Sequence, residues 1–348
     1  MKINGTIGRA CFGMAVLSAV DGCVKRKEWI RVEPDGAIHW RIENEGGRED
    51  METGSPAMTQ VPGWEFSSEI RRDDDGDETV VRRAEITLPA GSNIPTTYPT
   101  DDIAGAELAV QFTTTVTREP RADGVYYHFR RVYQPREWAF VNYWHEELVQ
   151  KPLEGGGSEP VEKMSQEKKE ELVQNAIDYE ALKHLAFARR AIDQIEPMMA
   201  QDSWLSIREA VLQVARSTDR AALMQLLEQE GDEGDSDPAG DRLVQFGRSL
   251  GESMTQAAKE KLRELRFPQD YAREFERVVK LETRRYAITE DYGDEEWEVK
   301  VELPGTVVAH NGDPSDDGEI HWKFDGRAIF DRRVELLATC VVKPGKQN

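Results

Sequence analysis

Two kinds of hydrophobic periodicity follow one another along the 348-residue chain, and their order limits the fold more than any other feature. From about residue 27 to residue 134, apolar and polar residues alternate between turn signals, which predicts β-hairpins. From Pro135 to about residue 282, apolar residues recur at steps of three and four, which predicts helices that pack through one face. Alternation returns over the last part of the chain. The predicted order is therefore β, then α, then β.

Three hairpins are predicted in an N-terminal β-rich segment, residues 23–134. Each has two alternating runs around a polar turn, and the turns are Pro34-Asp35-Gly36, residues 73–78 and Ala122-Asp123-Gly124. Asp-Gly dipeptides suit such turns because glycine accepts the positive φ that a tight turn requires.

The central region, residues 135–282, is predicted to be helical, with a flexible linker at 151–162 and an acidic loop at 230–241. The C-terminal segment, residues 283–348, contains four predicted strands, which are few for an independent sheet. We therefore expect an α+β fold. Its antiparallel β-sheet is built from the N-terminal and C-terminal segments, so that 283–348 shares a sheet with 28–134, and the helical region is inserted between them. The alternative is a helical domain between two separate small β domains.

One short phrase occurs in both β segments, as DGAIHWR from Asp35 and as DGEIHWK from Asp317. In a strand, isoleucine and tryptophan of this phrase point to one face and the histidine to the other. We expect the Ile/Trp side to face the core, and His39 and His321 to face water. If the two strands were neighbours, the two histidines could pair on the outer face and bind a metal weakly.

Residues 1–22 have the organisation of a secretory signal peptide. Lys2 and Arg9 form a basic start without an acidic residue, and an uncharged apolar run, ACFGMAVLSAV, follows over residues 10–20. Val20, Gly22 and Cys23 match the lipobox of bacterial lipoproteins, whereas Asp21 departs from it, and the segment resembles a lipoprotein signal. The resemblance implies lipidation at Cys23 and a mature domain outside the cytoplasm, anchored in the cell envelope. The alternative is a cytosolic protein whose first residues form a buried helix.

Lys25, Arg26 and Lys27 form a basic cluster directly after this cysteine. Basic residues next to an anchor are attracted to anionic lipid headgroups, so we expect the membrane to be contacted by the lipid on Cys23 and by these three side chains. Elsewhere the chain is acidic, with 66 Asp plus Glu against 45 Lys plus Arg and a formal net charge of −21. Such a charge repels phosphate backbones, which argues against a nucleic-acid partner.

Several short elements near the C-terminus resemble the LppM-type envelope lipoprotein domain. They are Leu303-Pro304-Gly305, His310-Asn311-Gly312, Trp322 followed by Phe324, and Leu336-Leu337-Ala338. The likeness covers about residues 295–342. It implies a lipid-anchored envelope protein and brings no catalytic residues.

Two patterns point to alternative functions. Asp313, Ser315 and Asp317 have the alternating oxygen ligands of the first half of a calcium loop, but Phe324 stands where an EF-hand has its bidentate glutamate. A calcium-dependent binding module using the Asp313–Asp317 loop therefore remains an alternative. Gly247-Arg248-Ser249-Leu250-Gly251 matches the nucleophile motif of serine hydrolases, which would make Ser249 a nucleophile. The same spacing also fits a helix in which the glycines allow close packing.

Other chemistry finds less support in the sequence. The six histidines form no HExxH pattern, and Cys340 is the cysteine left once Cys11 leaves with a signal and Cys23 is acylated. We expect Cys340 to be a small buried residue in a strand. We predict no cofactor and no enzymatic activity, and we expect the helical region to offer a surface for a protein partner.

Overall fold

The computed structural model describes residues 24–48, 51, 58–72, 78–102, 108–145, 147–148, 164–228, 238–315 and 317–344. The predicted signal peptide, Cys23, the linker at 151–162 and most of the acidic loop at 230–241 lie outside the described residues. The chain divides into a β unit, within residues 21–138 and 285–348, and a helical unit, which includes residues 139–284.

The strands of the β unit follow the alternating segments of the sequence. The N-terminal strands are β1 Lys25–Val32, β2 Ile38–Gly47, β3 Glu65–Arg72, β4 Glu78–Leu88, β5 Phe112–Arg121 and β6 Gly124–Tyr133. The C-terminal strands are β7 Glu296–Glu302, β8 Thr306–His310, β9 Asp313–Pro314, β10 Ile320–Asp325 and β11 Val334–Val342. The three predicted N-terminal hairpins are confirmed as β1–β2, β3–β4 and β5–β6.

The described strands form two sheets, and each sheet takes strands from both ends of the chain. The large sheet has the order β3-β4-β2-β1-β7-β10-β9, and the small sheet has the order β5-β6-β11-β8. The α+β prediction with a sheet shared between the two ends is confirmed, with two corrections: there are two such sheets, and β1 pairs with β7 in parallel. Alternation alone indicates strands but not their partners, so the sequence could not distinguish these pairings.

The two sheets pack their inner faces together. Trp40 of β2 lies edge-on to Phe112 of β5 with ring centroids 5.7 Å apart, and Tyr133 of β6 contacts Phe324 of β10 at 5.5 Å. Trp40, Ile320 and Trp322 are buried, as the repeated phrase predicted. Aromatic rings from both sheets therefore form the core of the β unit.

The helices begin and end within a few residues of the predicted bounds, with two exceptions. They are α1 Ala139–His145, α2 Gln166–Ile195, α3 Gln201–Ser217, α4 Arg220–Glu228, α5 Pro238–Glu264 and α6 Gln269–Asp291. The first helix begins at Ala139 and not at Pro135, because Arg136 forms an isolated bridge with Phe330 instead of joining the helix. The last helix continues through residues 283–291, where strand patterning was expected to return. The division between the two units falls within α6.

The helical unit is organised around α2. Its buried face includes Val173, Ile177, Leu185, Ala188 and Ile192, at the spacing that the periodicity predicted. Ser165 caps the helix by accepting a hydrogen bond from the Lys168 amide at 3.4 Å. Among the described residues, no helix is long and apolar enough to cross a membrane.

Candidate functional site

The residue after the predicted lipidation site is already part of the fold. Val24 is 6% exposed, its carbonyl accepts a hydrogen bond from the Glu296 amide at 3.0 Å, and its side chain clusters with Met51 and Val80. Strand β1 follows at once and lies inside the large sheet, between β2 and β7. Any group on Cys23 would therefore be attached within two residues of an internal strand.

Strand β1 places the side chains of the basic cluster, Lys25, Arg26 and Lys27, on opposite faces of the sheet. Arg26 is buried, so the expectation that it contacts a membrane is wrong. Arg26 is only 2% exposed, pairs with Glu295 at 3.2 Å, and its guanidinium lies 4.2 Å from the ring centroid of Tyr98. Successive side chains of a strand point to opposite faces, so Lys25 and Lys27 point outward and Arg26 inward. Lys25 is exposed, and Lys27 pairs with Glu45 at 3.6 Å.

The buried carboxylate of Glu28 is the centre of a polar network that sequence reasoning missed. Glu28 is fully buried and accepts hydrogen bonds from four side chains, namely Tyr98 at 2.7 Å, Trp40 at 3.0 Å, Tyr133 at 3.1 Å and Arg131 at 2.5 Å. The alternation of β1 could have indicated that Glu28 is buried, because Glu28 lies on the same face of the strand as Ile30 and Val32.

Arg131 completes this network from the opposite sheet. Its Nε atom donates to Thr114 at 2.8 Å, and its guanidinium lies between the rings of Trp40 and Phe112, at 4.8 and 4.6 Å. Burial by itself would lower the pKa of Arg131, but the charge of Glu28 raises it above its ordinary value, so the guanidinium stays charged. Burial also raises the pKa of Tyr98 and of Tyr133, so both phenols stay protonated and donate. The network is closed to solvent and joins the two sheets.

Ser249 does not lie on a strand-to-helix turn. It is exposed in the interior of α5, whereas a nucleophile elbow requires a sharp turn after a strand. The glycine motif instead marks close packing, since a Cβ atom added at Gly251 would lie 2.2 Å from Nε2 of His184 in α2. The hydrolase interpretation of Ser249 is therefore corrected. The helix alternative, in which the glycines allow close packing, holds at Gly251 but not at Gly247, where an added Cβ atom would meet no atom of the described residues within 4 Å.

The histidine packed on Gly251 belongs to a buried titratable cluster in the helical unit. Its Nε2 atom is 3.8 Å from the carboxylate of Glu180, which in turn pairs with Lys183 at 2.5 Å. Burial, with a contribution from Lys183, lowers the pKa of His184 to about 3, and burial raises the pKa of Glu180. Near neutral pH His184 is therefore an uncharged packing residue. His145 behaves similarly, with a pKa lowered by burial to about 4 and its ring 5.3 Å from that of Tyr179.

The proposed calcium loop forms a turn between β9 and β10. The Ser315 amide donates to the Glu319 carbonyl at 2.8 Å, and the Gly318 amide donates to the Ser315 carbonyl at 3.1 Å. Asp313 and Asp317 are exposed. Within the part of the chain that the structure describes, no group of three or more His, Cys, Asp or Glu side chains could hold a metal ion. Calcium binding at Asp313, Ser315 and Asp317 stays a prediction.

The two histidines of the repeated phrase lie on the outer face of one sheet but do not meet. β2 and β10 are separated by β1 and β7, so the condition under which His39 and His321 could pair is not met. His39 instead hydrogen-bonds the Thr87 hydroxyl at 3.0 Å, and His321 lies 3.1 Å from Glu319. Cys340 is fully buried in β11, and burial raises the pKa of its thiol, so it packs as a small core residue.

A depression of about 400 Å³ lies on the outer face of the large sheet, and no sequence motif pointed to it. Its lining comes from strands β1, β2 and β4, from Glu65 at the start of β3 and from the turn before it. Its lining residues are Trp29, Arg31, His39, Trp40, Arg41, Gly63, Glu65, Glu85, Ile86 and Thr87. Trp29, which faces outward between buried neighbours of β1, is its outward-pointing aromatic residue.

Comparison with known proteins assigns no family. No protein-family model matches the chain, and no curated protein matches it. A solved structure that matches is the folded domain of LppM from Mycobacterium tuberculosis, with 9% sequence identity and a TM-score of 0.27. The match covers 96% of this chain and 99% of that one. Such a TM-score is too low to support an argument about function.

Proposed function

We propose that this chain is a noncatalytic, lipid-anchored protein of the bacterial cell envelope, with its folded part outside the cytoplasm. The basic start, the apolar run over residues 10–20 and the residues Val20, Gly22 and Cys23 supply the signal for lipidation. One structural observation carries the proposal. Strand β1 begins at Lys25, so cleavage before Cys23 removes no residue of any described strand.

The anchor in this proposal is mainly the lipid. A single acyl chain gives marginal membrane binding, whereas two or more hold a protein stably. Lys25 and Lys27 add an electrostatic contribution from the outer face of the sheet, and Arg26 adds none because it is buried. The short connection between Cys23 and an internal strand would hold the β unit close to the membrane surface.

A noncatalytic role agrees with how the buried ionisable groups are used. The carboxylates of Glu28 and Glu180 are buried and paired with cations, so neither is presented to a substrate. The exposed surface of the helical region is the proposed contact for a protein partner. The hydrolase alternative lacks the turn that Ser249 would need, and the calcium module depends on the exposed turn at Asp313–Asp317.

Metabolic labelling with an alkyne fatty acid in a bacterium that processes lipoproteins tests the proposal. We expect the protein to be labelled and to fractionate with membranes, and we expect Cys23→Ala to abolish the labelling. Cys11→Ala is the matched control, because Cys11 lies in the predicted leader and should be dispensable. Absence of label in the wild-type protein, or label that survives in Cys23→Ala, would overturn the proposal.

A further inference from the structure

The cations around the depression on the large sheet are already paired with carboxylates. Arg41 lies 3.3 Å from Glu43 and 3.5 Å from Glu85, and Arg31 lies 3.0 Å from Glu33 and 3.5 Å from Glu302. An anionic ligand would have to displace these carboxylates. The depression therefore does not favour a ligand with net negative charge.

The wall formed by β3 and β4 presents hydrogen-bond acceptors. Glu65 lies directly opposite Glu85 in the strand pairing, and both side chains point to the outer face. Like charges in such a pair repel each other, so a donor placed between them is favoured. An ionised carboxylate offers about four acceptor positions, and the 3.5 Å contact with Arg41 leaves those of Glu85 incompletely used. A small cation is opposed by the nearby guanidinium of Arg41, whereas hydroxyl donors are not.

The floor offers polar groups next to an apolar surface. The ring of His39 and the hydroxyl of Thr87 are hydrogen-bonded to each other at 3.0 Å, Nε2 of His39 lies 3.6 Å from Glu33, and the Thr87 hydroxyl can bond to a further group. The indole of Trp29 is half-buried and is held by Arg41, whose guanidinium carbon lies 4.9 Å from the ring centroid. The apolar C–H face of a sugar ring packs on an indole in the same way as other apolar surfaces do.

We propose that this depression binds a neutral, hydroxyl-rich ligand, namely a pyranoside or the terminal unit of a longer glycan. Its guanidinium groups are paired within the protein, Glu65 and Glu85 supply acceptors, and Trp29 supplies one apolar wall. A volume of about 400 Å³ falls within the range of small-molecule pockets. The inference does not depend on the lipid anchor at Cys23.

Titration of the full-length protein in detergent, followed by saturation-transfer NMR, tests the inference. The probes are methyl β-D-glucopyranoside, methyl β-D-galactopyranoside and cellotetraose, with free lysine and acetate as charged competitors of similar or smaller size. We expect saturable binding of at least one glycoside, with a dissociation constant on the order of 1 mM. Tighter binding of cellotetraose would indicate the end of a glycan as the ligand, and equal binding would indicate a single sugar unit.

Two variants and one control locate the binding. Trp29→Ala should weaken binding at least about tenfold, and Glu65→Gln, which keeps the side-chain shape on an exposed strand, should weaken it about threefold. Lys323→Gln, on the same outer face but outside the depression, should bind as the wild type does. Absence of saturable glycoside binding, glycoside binding unchanged in Glu65→Gln, or preferential binding of lysine or acetate would each overturn the inference.

Discussion

Glu28 of β1 and Arg131 of β6 form an ion pair in which both side chains are at most 1% exposed, and this pair joins the two sheets of the β unit. Removing one partner of a buried pair leaves the other charge uncompensated and typically costs about 3–5 kcal/mol. We predict a loss of this size for Glu28→Gln, measured as the free energy of unfolding in urea. Glu296→Gln, which breaks the exposed pair with Lys323, should cost less than about 0.5 kcal/mol.

The double variant Glu28→Gln/Arg131→Met separates the cost of an unpaired charge from the cost of lost packing. We expect it to be more stable than the sum of the two single variants predicts, because it removes both charges together. Additive effects, or a cost below about 1 kcal/mol for Glu28→Gln, would show that this ion pair does not hold the two sheets together.

The two glycines beside Ser249 should respond in opposite ways to alanine. A Cβ atom at Gly251 would clash with the buried ring of His184, and such overpacking costs about 1–3 kcal/mol. Among the described residues, a Cβ atom at Gly247 would meet no atom within 4 Å, so Gly247→Ala should stabilise the helix by about 0.5–1 kcal/mol. Thermal unfolding of both variants checks this prediction, and equal effects at the two positions would contradict the packing account of the motif.

The stability of the helical unit should fall in mild acid because of His184. The folded-state pKa is about 3, well below the ordinary value near 6.5, so between these values the unfolded chain binds a proton that the folded chain does not. This contribution is unimportant at pH 7 and lowers the free energy of unfolding by about 2 kcal/mol at pH 5. Glu180 has a raised pKa, so above pH 4.5 the folded chain binds more protons at this group than the unfolded chain does. Its effect on the free energy of unfolding is therefore opposite to that of His184.

Urea unfolding of wild type and His184→Asn at pH 5 and pH 7 measures this contribution. The variant should lose less stability than the wild type over this interval, whatever its stability at pH 7. His145, with a pKa of about 4, contributes in the same direction and stays present in both proteins, so the difference between them reports on His184. An identical pH dependence in the two proteins would exclude His184 as the cause.

The serine hydrolase alternative makes a simple chemical prediction. Because Ser249 lies within a helix and not on the sharp turn of a nucleophile elbow, we expect no labelling by a fluorophosphonate probe. Labelling that is lost in Ser249→Ala would contradict this expectation.

The calcium alternative is tested by comparing the unfolding temperature in chelator with that in millimolar calcium. A rise in calcium that is lost when Asp313 and Asp317 are replaced would support a calcium site.

Much of the β unit was predictable from alternation and turn chemistry. The Asp-Gly turns located the hairpins, and the repeated phrase correctly placed Trp40 and Trp322 in the core. The choice of partners was not predictable, since β8 and β10 lie close together in the chain but belong to different sheets. Strand pairing depends on contacts far apart in the chain, which local sequence does not encode.

The buried charges were harder to predict than the strands. The alternation of β1 placed Arg26 and Glu28 on the same face as Ile30, yet charged residues are almost never fully buried unless they are paired. Their partners, Glu295 and Arg131, lie more than 100 residues away. The depression beside Trp29 was also not predictable, because its lining residues come from strands that only the folded sheet brings together.

The central claim is that a lipid on Cys23 anchors this protein in the envelope. The mass of the N-terminal peptide of the mature protein, isolated from membranes, tests it most directly. The account predicts a chain that begins at Cys23 and carries a diacylglyceryl group, with an unlipidated precursor in Cys23→Ala. An unmodified N-terminus at Met1 in the soluble fraction would contradict it.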